Sequence, residues 1–188
     1  MRQYPHDVEA ADRLLDDAGF RRGRDGRRFE VTFTHASTQQ RLAQAVREQL
    51  KVVGIIVNLR TLDFSAAVDQ VFVKKTFDVG MASFCNGVDP DIGVRRVYVS
   101  SNIGPIPFSN GAGYRNPRVD ALFDEASQLT DRTARRAKYV EIQKILADDV
   151  PYFWIVDSEG LRAYRTAFTG FRLWTGALLE TVRPANRR

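Results

Sequence analysis

From Phe84 to Asp91 the chain sets a ring, a thiol, an amide and two carboxylates in close succession: Phe84, Cys85, Asn86, Asp89 and Asp91. Gly87 and Pro90 interrupt regular structure among them. The apolar run 77–82 just before them has the length of a buried strand. Polar groups placed just past a strand's carboxyl end are where open α/β sheets take ligands. A second stretch, 100–114, is rich in Gly, Pro, Asn and Ser, and its Phe108, Asn110 and Tyr114 suit a pocket wall. Each of these residues also has a plain structural reading. Asn86 could close an Asx turn, and Phe84 could belong to the core. Asp89 and Asp91 could be turn and cap residues, Arg95 and Arg96 solvated helix charges, and the long loop could simply pack on itself.

Catalysis asks for more than these residues supply. The single cysteine, Cys85, is a nucleophile only beside a base, and the chain has two histidines, His6 near its start and His35 at the end of a strand. No nucleophile elbow, oxyanion-type glycine motif or ordered triad appears. His6, His35 and Cys85 lack the close spacing of a zinc site, and no phosphate loop or dinucleotide fingerprint is present. The expectation is therefore binding without an enzyme's chemistry, and without metal or cofactor. A Cys-dependent hydrolase is the weaker alternative.

The elements that must position these groups read as follows. Asp7 caps a helix with Val8, Ala11, Leu14, Leu15 and Ala18 at helical spacing, closed by Gly19. Residues 29–34 alternate as a strand, and a helix from about Gln39 carries Leu42, Val46, Leu50 and Val53 to Gly54. Residues 55–60 form the next strand, and Asp63 caps a third helix bearing Phe64, Ala67, Val68, Val71 and Phe72. The strand 77–82 follows. Strand, helix, strand, helix, strand implies βαβ units and a mainly parallel sheet. Residues 92–99 predict a short helix, Pro117 opens another, and Asp131 caps a longer one that Pro151 stops. Residues 152–156 read as an apolar strand, with 161–164 as a possible partner, and from Thr166 onward the chain is irregular.

Bulk composition is that of a globular protein: 188 residues, 44% hydrophobic, 27% charged, with a net charge of +5. One cysteine allows no internal disulfide. The positive balance permits nucleic-acid contact, which stands as an alternative function. The densest basic patch, 21–28, lacks the interleaved aromatics that stack bases, and no nucleic-acid partner is expected. No apolar run approaches the roughly 20 residues a bilayer span needs, and no signal peptide is read in Met1-Arg2-Gln3-Tyr4-Pro5.

Several strings, in order, resemble one family: Leu14-Leu15-Asp16-Asp17-Ala18-Gly19-Phe20, Leu50-Lys51-Val52-Val53-Gly54-Ile55-Ile56-Val57, Phe77-Asp78-Val79-Gly80 with Asp89-Pro90-Asp91, Tyr114-Arg115-Asn116-Pro117, and Ile145-Leu146-Ala147-Asp148-Asp149-Val150-Pro151. Together they are similar to the C-terminal lobe of the dipeptide, oligopeptide and nickel solute-binding proteins of ABC importers. The resemblance implies an α/β fold, one lobe of a type II periplasmic-binding-protein fold, with a mainly parallel sheet flanked by helices. It implies a lobe over 1–165 and an irregular C-terminal tail over 166–188 that in the family returns to a first lobe. It implies capture of a peptide-like or other small polar solute, delivery to permease membrane subunits, and a periplasmic or lipid-anchored extracellular location with the signal peptide outside this stretch. The resemblance places Phe84, Cys85 and Asn86 at the segment that contacts a peptide's amino end; with Asp89 just past the strand and Phe108, Asn110 and Tyr114 on the long loop, these are the expected ligand contacts. Asn86 stands where peptide-binding relatives carry an amine-binding Asp, which puts a free α-amine ligand in doubt because an amide offers no charge-assisted bond. Phe168, Phe171, Trp174 and Leu178 would lack their usual cover, so an exposed apolar patch or self-association through the tail is expected.

Overall fold

Asp7 accepts a hydrogen bond on Oδ1 from Ala10 N at 2.8 Å and starts α1 (Val8–Asp17). β1 (Phe29–Ala36), α2 (Gln40–Val52) and β2 (Ile55–Leu62) follow in the expected order. The computed structural model describes residues 4–87, 89–157, 163–171 and 182–184. β1 and β2 pair in parallel along their full length, from Phe29 opposite Ile55 to Ala36 opposite Leu62. Phe33, Ala43, Val57 and Met81 are buried together between sheet and α2. Gly54 is required where α2 turns into β2. Its φ is +82°, and an added Cβ would stand 2.8 Å from the Gly26 carbonyl oxygen.

The basic run 21–28 is partly internal structure. The Arg28 side chain is buried, donating to Asp12 Oδ1 at 2.9 Å and to Val53 O at 2.9 Å, and pairing with Asp16. Arg22 donates to Asp12 Oδ1 and to Val52 O, each at 2.8 Å. These two guanidinium groups tie α1 to the carbonyls that α2 leaves open at its C-terminus.

Asp63 caps α3 (Phe64–Val68) by accepting from Ala66 N at 3.0 Å. The helix then widens into π-type turns over Asp69–Lys74, which bury both Val71 and Phe72. β3 follows, and here the expectation needs correction. Only Val79–Gly80 pairs, parallel to β1 at Phe33 and Thr34, with one further bond from Met81 N to Thr34 O. The strand lies at the sheet edge, in the order β2-β1-β3, and Val79 is exposed. The physical reason is Asp78. Its Oδ2 accepts the Thr32 N–H at 2.7 Å, taking the bond that a longer strand's carbonyl would accept.

The predicted helix over 92–99 is two single turns, α4 (Pro90–Gly93) and α5 (Arg95–Tyr98). α6 (Pro117–Gln128) starts on Asn116, whose Oδ1 accepts from Arg118 N and Val119 N, and α7 (Arg132–Asp149) starts on Asp131. α5, α6 and α7 enclose a second core of Val97, Tyr98, Val119, Leu122, Phe123 and Ile142.

The chain divides into two compact units, Met1–Tyr152 and Phe153–Arg188. In the second, β4 (Phe168–Thr169) pairs antiparallel with β5 (Arg183–Pro184), and Phe171 stacks on Tyr164 at 3.8 Å between ring centroids. The strand expected over 152–156 does not form. Residues 152–156 take no regular structure, and Phe153, Ile155 and Val156 stay exposed. Strand propensity reflects packing on a neighbour more than intrinsic backbone preference, which this segment illustrates. Residues 161 and 162 of its expected partner, and Trp174, Leu178 and Leu179, lie outside the described residues.

Candidate functional site

A cleft of about 180 Å³ opens at the carboxyl ends of β1 and β3. β1 contributes Ala36, and the turn into α2 contributes Thr38 and Gln39. α3 and its wide turns supply Phe64, Ala67, Val68, Val71 and Phe72. The chain leaving β3 supplies Met81, Ala82 and Ser83, and the long loop supplies Phe108. Gln39 Nε2 donates to Ser83 Oγ at 3.1 Å, which fastens the outgoing loop to the start of α2.

The rings form a connected series. Phe64 stacks beside Phe108 at 6.2 Å, Phe108 meets Phe72 at 5.3 Å, and Phe72 meets Phe84 edge-on at 6.0 Å. Phe84 continues to Tyr152 and Tyr152 to Tyr98, inside the second core. Phe108 has φ +57°, a conformation uncommon outside glycine, so the surrounding packing must hold it there.

Three devices hold the loops that carry these groups. First, Asn110 is fully buried; its Nδ2 donates to the carbonyls of Tyr98, Val99 and Tyr114, and its Oδ1 accepts from Tyr114 N. Second, the Tyr114 hydroxyl donates to Asp149 Oδ2 at 2.5 Å, and the Tyr152 hydroxyl accepts from Ala112 N at 3.2 Å. Burial raises the Tyr114 hydroxyl's pKa, with the Asp149 bond adding to it, and Asp149 is lowered by the same bond. Third, Asp89 caps α4 by accepting from Asp91 N at 2.9 Å and receives both guanidinium arms of Arg135 at 2.8 Å. The Arg135 bonds hold the Asp89 carboxyl below its usual range. Asp91 pairs with Arg95. Gly93 lets the outgoing loop lie on α4: a Cβ there would stand 2.8 Å from Gly87 N and 2.9 Å from Asn86 Cα.

The residues singled out from sequence are thus distributed by depth. Phe108 lines the cleft, and Phe84 stands half-buried behind it, against the second core. Cys85 and Asn86 are exposed on the loop beyond Ser83. Asp89, Asn110 and Tyr114 are engaged in bracing the loops. His35 is buried, with Nδ1 against Ala36 O at 2.9 Å and Nε2 against Thr61 Oγ1 at 3.2 Å. Thr38, Gln39, Met81 and Ser83 line the cleft without having been singled out. Applying the carboxyl-end rule to β1 as well as to β3 would have found Thr38 and Gln39.

Residues 1–105 match the family described as bacterial extracellular solute-binding proteins, family 5, middle segment. Protein XP55 of Streptomyces lividans is 30% identical over 192 aligned residues, covering 97% of this chain and 34% of its own length. The glutathione-binding protein GsiB of Pectobacterium atrosepticum is 27% identical, covering 94% of this chain and 35% of its own. Among solved structures, the periplasmic binding protein DppA of Helicobacter pylori, in complex with the peptide STSA, superposes with a TM-score of 0.70 at 24% identity, over 81% of this chain and 29% of that one. The chain spans about a third of the length of the curated relatives it matches.

Proposed function

Because this chain belongs to the family 5 bacterial extracellular solute-binding proteins, we propose that it is part of the substrate-binding component of an ABC importer. In this reading the component works outside the cytoplasmic membrane, captures a small solute and hands it to the membrane permease. The observation that carries the reading is the cleft at the carboxyl ends of parallel β1 and β3, where open α/β sheets take ligands. The relatives support it, one being named for binding glutathione and another solved with a peptide.

The mechanism is capture. Two lobes close by hinge motion, bury the solute and present the closed form to the permease. This chain supplies one wall. Phe108 and Phe84 form its apolar backing, Cys85 and Asn86 reach the solute from the exposed loop, and Asp89, Asn110 and Tyr114 hold those loops in place. Native mass spectrometry of the whole protein purified from its own cells tests the reading. A small molecule should travel with the protein and leave on mild activation, and a protein that carries and takes up no solute would count against capture. By calorimetry the 188-residue chain alone should bind that solute weakly, because one wall gives part of the contacts and little desolvation.

A further inference from the structure

The chemistry of the cleft wall narrows which part of a solute it can hold, an inference that rests on the reading of this chain as a solute-capturing wall. Among the described residues that line the cleft, no side chain is ionisable. Its side-chain hydrogen-bonding groups belong to Thr38, Gln39 and Ser83, and two of these already bond each other. An ammonium or carboxylate pressed against this wall would lose hydration and gain no counter-charge. The carboxylates of the adjoining loop are not spare: Asp89 is held by Arg135 and Asp91 by Arg95.

The size and shape of the wall point the same way. A volume of about 180 Å³ exceeds the roughly 150 Å³ at which an apolar cavity accepts benzene. Phe64 leaves 60% of its surface open although it is large and apolar, and its ring lies within 29° of the plane of Phe108. We infer that the cleft takes an uncharged, ring-sized apolar group of the solute, with an adjacent polar atom reaching Ser83 and Gln39. The charged ends of the solute are held away from this wall. The solute class is then a peptide or small molecule with an aromatic or alicyclic side group, and not one whose every end is charged.

Three probes separate the possibilities when titrated onto the 188-residue chain by saturation-transfer NMR. N-acetylphenylalanine amide carries the ring and no charge, phenylalanine amide adds an ammonium, and N-acetylalanine amide lacks the ring. The first should bind about tenfold more tightly than the third, as partial burial of one ring provides, and the second no more tightly than the first. Phe64→Ala, at an exposed site, and Ala82→Leu, which fills the cleft, should each abolish the preference for the ring with far-UV circular dichroism unchanged. Equal affinity with and without the ring, tighter binding of the ammonium form, or a ring preference that survives both variants overturns the inference. The solute released from the whole protein separates the two readings. A bound solute without a ring-sized apolar group overturns this inference and leaves capture standing, whereas a whole protein that takes up no solute removes both.

Discussion

Asn110 has no exposed surface, yet every polar atom of its amide is engaged with backbone groups of Tyr98, Val99 and Tyr114. Replacing it with alanine strands those groups out of water's reach, which costs about 2–3 kcal/mol. Urea melts of Asn110→Ala should show that loss, and an unchanged midpoint would mean the loop is held by other contacts. Asp89 carries a pH dependence whose sign follows from Arg135. Its folded carboxyl is held below the ordinary 3.8, so the stability it contributes is fully present above that value and drains away as pH falls through the folded pKa. Urea midpoints should fall as the pH drops below about 3.8. Asp89→Asn should be less stable at pH 7 and should lose less on acidification. An equally steep acid limb in the variant would place the sensitivity in other carboxylates, such as Asp12 or Asp149.

Among the elements, the loop leaving β3 depends on α4 for its course. Gly93 is buried, and its missing side chain is the space that the Asn86–Gly87 backbone occupies. Gly93→Ala should cost about 1–3 kcal/mol by overpacking and should shift the alkylation rate of the exposed Cys85 while the helices persist. Wild-type stability together with a wild-type thiol rate would show that the loop does not rest on α4. Most of the helices and the first two strands were legible in sequence because caps and periodicity are local: Asp7, Asp63 and Asp131 each make the expected cap, and α6 opens at Pro117 as expected. β3 was legible as a strand but not as a short edge, because what limits it is Asp78 bonding to Thr32, 46 residues away.

At the scale of the whole molecule, the second unit leaves Phe153, Trp154, Ile155 and Val156 between 41% and 78% exposed. Consecutive large apolar residues at a surface favour association. Sedimentation velocity of the 188-residue chain should show self-association that rises with concentration and is weakened by Phe153→Ser combined with Val156→Ser. A monomer at every concentration would refute this.

The sequence by itself determined the alternation of strands and helices, the parallel sheet it implies, the family, and the two loops worth inspecting. It could do so because caps, turn residues and hydrophobic period are read within a few neighbours. Only the tertiary structure decided which loop residues face the cleft and which are spent inside. The amides of Asn86 and Asn110 look alike in sequence, yet one is exposed and the other is buried under four backbone bonds. Arg28 looked like part of a basic surface and is a buried strut. In each case the deciding partner is distant along the chain or belongs to another element, and burial is a property of the packed whole.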